Sequence, residues 1–229
     1  METHKYRVND SRDWFGNNVN IEGGVHYFLK NSKYKGKCVF NGVIYDLGKY
    51  DVIVKPEFLS FIEKFKNCQS LESIYKGRFF GIESNDKRLK KTGKTLCFVS
   101  TLKSKNRKMY IDNYKMTKTN SFWKVFTPKA NGNYPGFGYI GIAKPNEIHT
   151  GSYISFKVNN QKEAESLLSY MKTNFVNFML SIRKNTQNIS GDTCKWIPLI
   201  PLNRKWDNKS VYKYFKLTPS EIKEIESKY

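Results

Sequence analysis

Acidic residues are scarce in this chain. Against 40 Lys and Arg it sets 20 Asp and Glu, a formal net charge of +20 over 229 residues. AT-rich coding inflates Lys, but it should raise Glu as well, and Glu has not kept pace. Histidine is rarer still, with His4, His26 and His149 the complete set, which leaves little for metal ligation or acid–base chemistry at neutral pH. The four cysteines, Cys38, Cys68, Cys97 and Cys194, are widely separated and form no Cys-x-x-Cys pair, so a zinc knuckle is not expected. Reduced, mostly buried thiols in a cytoplasmic protein are the expectation. No apolar run approaches the length that crosses a bilayer, and the opening Met1-Glu2-Thr3-His4-Lys5 carries no hydrophobic signal core. There is no P-loop, no Gly-x-Ser-x-Gly elbow and no Pro-Pro pair.

What is present is a core-forming, strongly basic chain. Hydrophobic residues make up 39% and aromatics 15%, too much for a disordered cationic tail. A surface this basic attracts polyanions, and release of condensed counterions from a nucleic-acid backbone is the usual gain.

The apolar periodicity changes along the chain. Residues 5–30 read as extended. Asn41-Gly42 between Cys38-Val39-Phe40 and Val43-Ile44-Tyr45 predicts a β-hairpin. Pro56 with Phe58, Leu59, Ile62 and Phe65 predicts a short amphipathic helix, and a further helical turn is expected over 70–75. Strands are expected at 96–101, 108–111, 123–127, 139–142 and 153–158, separated by basic loops at 86–91 and 103–108. The stripe Ala164, Leu167, Leu168, Met171, Phe175, Phe178, Met179 and Ile182 predicts one long helix over 160–183 that buries one face in the core. Thr218-Pro219-Ser220-Glu221 is a capping box with Pro at the first helical position, opening a last helix. Mixed strands and helices of this order predict an α+β fold.

Catalytic signals are weak. Glu221-Ile222-Lys223 and Glu226-Ser227-Lys228 match an acidic-x-Lys nuclease pattern, but they fall in the expected last helix, and such triplets arise by chance in a Lys-rich chain. Gly136, Gly138 and Gly141 have dinucleotide-fingerprint spacing without opening an amphipathic helix, so a flexible loop is expected. Phe80, Trp123 and Tyr139 are either core residues or base-stacking ones.

An ordered series of motifs is more specific. Asp10-Ser11-Arg12-Asp13-Trp14-Phe15 is followed by Val19, Ile21, Gly23-Gly24-Val25 and Tyr27-Phe28-Leu29. Then come Phe80-Gly81-Ile82 with Ser84-Asn85, Trp123-Lys124-Val125-Phe126-Thr127-Pro128-Lys129-Ala130, and Glu163-Ala164. Tyr170-Met171-Lys172-Thr173, Lys184-Asn185-Thr186-Gln187, Trp196-Ile197-Pro198, Trp206 and Leu217-Thr218 with Glu221-Ile222 complete it. The series resembles the C-terminal region of type II, TaqI-like N6-adenine DNA methyltransferases of restriction-modification systems.

That resemblance implies two parts: a strand-and-hairpin remnant of the catalytic sheet over 1–52 and a DNA target-recognition domain over 53–229. It implies sequence-specific binding of double-stranded DNA. It also departs from the family. The Gly-rich S-adenosylmethionine loop and the Asn-Pro-Pro-Tyr loop that holds a flipped adenine are absent, so no cofactor is expected on this chain. S-adenosylmethionine is expected only in a full-length enzyme or in a partner, a methyltransferase catalytic domain or subunit. A restriction endonuclease or a specificity subunit of the same kind of system is the alternative. The expected DNA contacts are Lys87, Arg88, Lys90 and Lys91 in one loop and Lys103, Ser104, Lys105, Asn106, Arg107 and Lys108 in another. Lys129 and the helix end Arg183, Lys184, Asn185 and Gln187 follow. Lys and Arg are expected to hold phosphates, and Asn, Gln and Ser to read base edges.

Overall fold

The computed structural model describes residues 12–19, 33, 37–40, 43–46, 49–52, 54–101, 104–132 and 135–229, and for residues 13, 14, 38–40, 45, 101 and 104–107 the backbone alone. The chain divides into two compact units, Met1–Asn67 and Cys68–Tyr229.

In the first unit, α1 (Arg12–Phe15) is a single helical turn. Its end is set by Gly16, which takes φ 84 and donates its N–H to the Arg12 carbonyl at 3.0 Å. The extended reading of 5–30 therefore fails at this turn, and most of the rest of that span lies outside the described residues. Strands β1 (Cys38–Phe40) and β2 (Val43–Tyr45) pair antiparallel with Phe40 opposite Val43, the two-residue hairpin that Asn41-Gly42 predicts. A 3-10 turn, Pro56–Phe58, leads into α2 (Leu59–Phe65), with Pro56 in the first helical position. Phe58, Phe61, Ile62 and Phe65 are buried, while Leu59 is half-exposed. The division between the units falls after α2, whereas the expected boundary at 52/53 precedes it.

The second unit begins with a 3-10 turn, Leu71–Ile74, and strand β3 (Tyr75–Gly77). Then follow β4 (Thr95–Thr101), β5 (Ser104–Ile111), β6 (Trp123–Pro128), β7 (Gly141–Ala143), β8 (Ile148–His149) and β9 (Tyr153–Val158). Helices α3 (Gln161–Met171), α4 (Asn174–Arg183), α5 (Asn208–Tyr214) and α6 (Pro219–Glu226) close the chain. The strands form a four-stranded sheet of order β3-β9-β6-β7 and a three-stranded sheet of order β5-β4-β8, with β4 and β8 parallel. The fold is α+β.

Strand β4 is the seam between two cores. Cys97 and Val99 join Phe80, Ile82, Ile111, Phe122 and Ile148 on one side. On the other, Phe98 packs with Phe126, Ala143 and Tyr153, its ring centroid 4.6 Å from that of Phe126. Fully burying each such aromatic contributes about 1.5–3 kcal/mol.

Three expected elements differ. The basic stretch 103–108 is strand rather than loop from Ser104 onward, because β5 pairs with β4 along almost its whole length. The strand expected at 139–142 starts later, at Gly141, where a Cβ would lie 2.6 Å from the Phe126 ring. The long helix breaks between Met171 and Asn174. Thr173 caps α4 by accepting from the Val176 N–H, and Asn177 donates to the Thr173 carbonyl at 2.9 Å. Once broken, α4 no longer buries one face: Phe175, Val176, Asn177, Phe178, Met179, Leu180, Ile182 and Arg183 are all buried. Asn177 also reaches beyond the helices, since its side-chain oxygen accepts from the Phe137 N–H at 2.9 Å and so ties α4 to Phe137. The glycine-rich stretch is pinned at Phe137, which is fully buried and whose carbonyl accepts from the Thr127 hydroxyl at 2.6 Å.

Candidate nucleic-acid interface

Charge in the second unit is concentrated. Residues 76–118 carry thirteen Lys and Arg and three acids, Glu83, Asp86 and Asp112. Each acid is engaged within the segment: Glu83 by Arg78, Asp86 by Arg88 at 2.7 Å, and Asp112 by Lys90 at 3.1 Å. The Arg88 hydrogen bonds hold the Asp86 carboxyl down to about 2, and Lys90 with the Lys94 N–H lowers that of Asp112. The cations of this segment whose side chains are described, Lys108 among them, are all exposed.

Local backbone pairing ties the first expected basic stretch to the strand that carries the second. Lys90 and Tyr110 exchange backbone hydrogen bonds, which sets the 86–94 segment along the free edge of β5. Gly93 permits this approach, for a Cβ there would lie 2.8 Å from Asp112 Oδ1 and 2.9 Å from Tyr110 Cβ. Lys87, Arg88, Lys90 and Lys91 thus belong to a segment held at the Tyr110–Asp112 end of the strand whose earlier residues are Ser104, Lys105, Asn106, Arg107 and Lys108. Lys103 lies outside the described residues, and Ser104, Lys105, Asn106 and Arg107 are described as strand backbone.

The second expected group also assembles. Lys129 N donates to the Ser152 carbonyl at 2.8 Å, and its own carbonyl accepts from the Ile189 N–H at 2.7 Å. Asn131 N donates to the Gln187 carbonyl, and Lys184 Nζ reaches the Gly132 carbonyl at 3.1 Å. Asn185 and Gln187 are exposed, and Lys129 is half-buried. Arg183 goes the other way. It is 3% exposed, pairs with Asp192 at 2.7 Å and lies 4.6 Å over the Trp196 ring, so its guanidinium is committed inside the fold and is withdrawn from the expected contacts.

Ser152 joins Lys129 to residues that flank the first group in sequence. Besides accepting from Lys129, it shares a 2.6 Å hydroxyl bond with Ser84 and donates to the Ser100 carbonyl at 3.4 Å. Ser84 and Ser152 were not legible as site residues, because no charge or motif marks a serine. Lys76, Arg78, Lys94, Lys115 and Lys118 are further exposed cations of the 76–118 segment, and a windowed charge count would have found them.

Of the ambiguous aromatics, Phe80 is core, Trp123 is half-buried and Tyr139 is 42% exposed. Lys124 is fully buried. Its ammonium donates to the Lys144 and Glu147 carbonyls at 2.7 and 2.6 Å and sits 5.3 and 5.2 Å from the Phe80 and Phe122 rings, while burial pushes it down to about 7. Burial raises the Cys97 thiol to about 12 and Cys194 further still, which makes both poor nucleophiles. Glu221 serves the α6 capping box as the sequence predicts. Among the described residues, no group of three or more His, Cys, Asp and Glu is placed to hold a metal ion, and no helix is long and apolar enough to cross a membrane.

Compared with models of protein families and with curated proteins, the chain matches none of them.

Proposed function

We propose that Cys68–Tyr229 is a sequence-reading domain for double-stranded DNA, the target-recognition part of an adenine-specific methyltransferase of a restriction-modification system. The observation that carries the reading is the cationic segment 76–118, which holds β5 and the 86–94 stretch bridged to it at Lys90 and Tyr110, and whose local acids are all engaged by neighbouring cations. A two-stranded ribbon is of a size that enters the major groove, where its side chains reach base edges. Lysines along both members neutralise phosphates and fix register. Lys129, Lys184, Asn185 and Gln187 contact the flanking backbone.

The domain positions and does not transfer. Methyl donation and the pocket for an extruded adenine belong to a catalytic domain or subunit that carries S-adenosylmethionine, and this chain presents the site to it. The test is fluorescence anisotropy on duplex oligonucleotides across a salt series. Neutralising about five phosphates gives a log–log slope near −4 to −5. A flat response, or no duplex binding at low ionic strength, removes the reading.

A further inference from the structure

The chain crosses between its two sheets at the turn 144–147. It leaves β7 in the four-stranded sheet, adds β8 to β4 in the three-stranded sheet, and returns to the first sheet as β9. This excursion, 144–152, pairs with β4 only through Ile148 and His149. Its far side is tied by Thr150 N, which donates to the Phe98 carbonyl at 3.0 Å, and by Gly151 N, which donates to the Ile82 carbonyl at 2.7 Å.

Lys124, on β6, fastens the near side. Its Nζ donates to the Lys144 carbonyl at 2.7 Å and to the Glu147 carbonyl at 2.6 Å, the two ends of the turn. The Lys144 carbonyl also accepts from the Glu147 N–H at 3.0 Å. Among the described residues these two carbonyls are the only hydrogen-bond partners of Lys124 Nζ, and no acid pairs with it. Two acceptors match the two N–H groups of a neutral amine. The third proton of an ammonium meets only the Phe80 and Phe122 rings, 5.3 and 5.2 Å away, which replace its hydration in part.

The surroundings supply little counter-charge. The Glu147 carboxylate attracts the ammonium, but its Oε2 accepts from the Lys144 N–H at 2.8 Å. Lys157 lies opposite Lys124 across the β6–β9 pair, its own ammonium 5.7 Å from the Phe122 ring, and the Lys144 side chain is exposed. His149, edge-on to Phe80, is held neutral by burial, as are Cys97 and Tyr114. A base enclosed in this way gives up its proton more readily than a solvated one and regains it when the enclosure opens. We propose that Lys124 is a proton-operated latch: as a neutral amine it holds the 144–152 excursion shut, and proton uptake releases the excursion from β4. This device does not rest on duplex binding.

Native-state hydrogen exchange of the full chain, read by NMR and divided by intrinsic rates, tests it. The Lys124 side-chain resonances are titrated in the same samples. The amides of Glu147, Thr150 and Gly151 are expected to open more readily than those of Val125 and Phe156, which face each other in the β6–β9 ladder. Burial pushes Lys124 from 10.5 down to about 7. Between those values the opened joint binds a proton that the closed one lacks, so opening becomes costlier as pH rises. Protection of the three excursion amides should therefore rise about fifteenfold from pH 7 to pH 8.5, a window above the His149 transition. The Lys124→Met variant removes the proton, and its protection at these amides should stay level. A Lys124 midpoint near that of the other lysines overturns the proposal. So does protection that does not rise with pH, a rise as steep in Lys124→Met, or excursion amides that exchange only as slowly as Val125 and Phe156. Where the variant does not fold, the wild-type midpoint and slope decide.

Discussion

Lys90 and Tyr110 exchange both of their backbone hydrogen bonds, each with N–O of 2.9 Å. This one residue pair ties the 86–94 segment to the end of β5, the strand that also carries the second basic stretch, across the whole of β4 in sequence. Lys90 is also bonded to Asp112 through its side chain, which fixes the segment there, while Lys87, Lys91, Lys94 and Lys108 are exposed.

The first prediction follows from that exposure. Replacing Lys87, Lys91 and Lys108 with Gln removes three solvated cations and leaves the Lys90–Asp112 and Arg88–Asp86 pairs intact. Every phosphate that goes without its cation flattens the salt slope by about 0.9, so the triple variant should bind duplex with a slope shallower by about 3 if all three touch phosphate. Phosphates carry no base information, so the weakening should be alike across sequences. Anisotropy titrations on two unrelated duplexes measure both.

Geometry can be separated from charge at Gly93. The Gly93→Ala variant places a methyl against Asp112 Oδ1 and Tyr110 Cβ, at 2.8 and 2.9 Å, and has to lift the 86–94 segment from β5. Net charge is unchanged. Duplex affinity is expected to fall severalfold, with protection of the Lys90 and Tyr110 amides from hydrogen exchange reduced. Wild-type affinity despite unprotected amides would show that the side-by-side arrangement does not matter to binding.

The parts of this fold that depend on local chemistry were legible in the sequence. Asn41-Gly42 specified its hairpin, Pro56 and Thr218-Pro219 their helix starts, and the β-branched and aromatic runs marked the places of β6 and β9. The parts that depend on distant partners were not. The helix that starts at the Thr173 cap carries Asn177, whose side-chain oxygen is used by the Phe137 N–H some 40 residues earlier. Strand β8 is two residues long and exists because β4 offers it a parallel edge. The basic stretch 103–108 has loop-like composition, yet β4 supplies the register that makes it strand. The same limit governs the site: the clustering of cations was visible, but Arg183, which looked like the end of a basic helix, is claimed by Asp192 and Trp196, residues that follow it after a loop.

Arg183 therefore carries a prediction opposite to that of the ribbon lysines. Its head is buried, while the Asp192 side chain is 63% exposed, so the pair is half-solvated rather than sealed. The Arg183→Ala variant loses the pairing, the stacking on Trp196 and the bond to the Asp192 carbonyl. A cost of about 3 kcal/mol is expected, at the lower end for breaking a buried pair. Urea unfolding measures it. The slope of duplex affinity against salt, measured where the variant remains folded, should match that of the wild type.

The final prediction concerns acid stability. His149 is 1% exposed; its Nδ1 lies 3.0 Å from the Thr150 carbonyl and its Nε2 has no partner. The ring is wedged between Phe80, 4.8 Å away and edge-on, and Phe126, stacked at 6.1 Å. Burial dominates and pushes the imidazole down to about 4, with the nearby Lys124 acting in the same direction. The unfolded chain takes up this proton near 6.5. Above that pH both states are neutral at this residue and it adds no pH dependence. Below it the unfolded state gains a proton that the folded state refuses, so stability falls as pH drops from about 6.5 to about 4. The loss reaches about 3 kcal/mol over the window. The His149→Phe variant keeps the ring contacts and removes the titration, so its unfolding free energy should lose that part of the acid slope. A variant whose stability declines between pH 6.5 and 4 as steeply as the wild type would show that the acid sensitivity lies elsewhere.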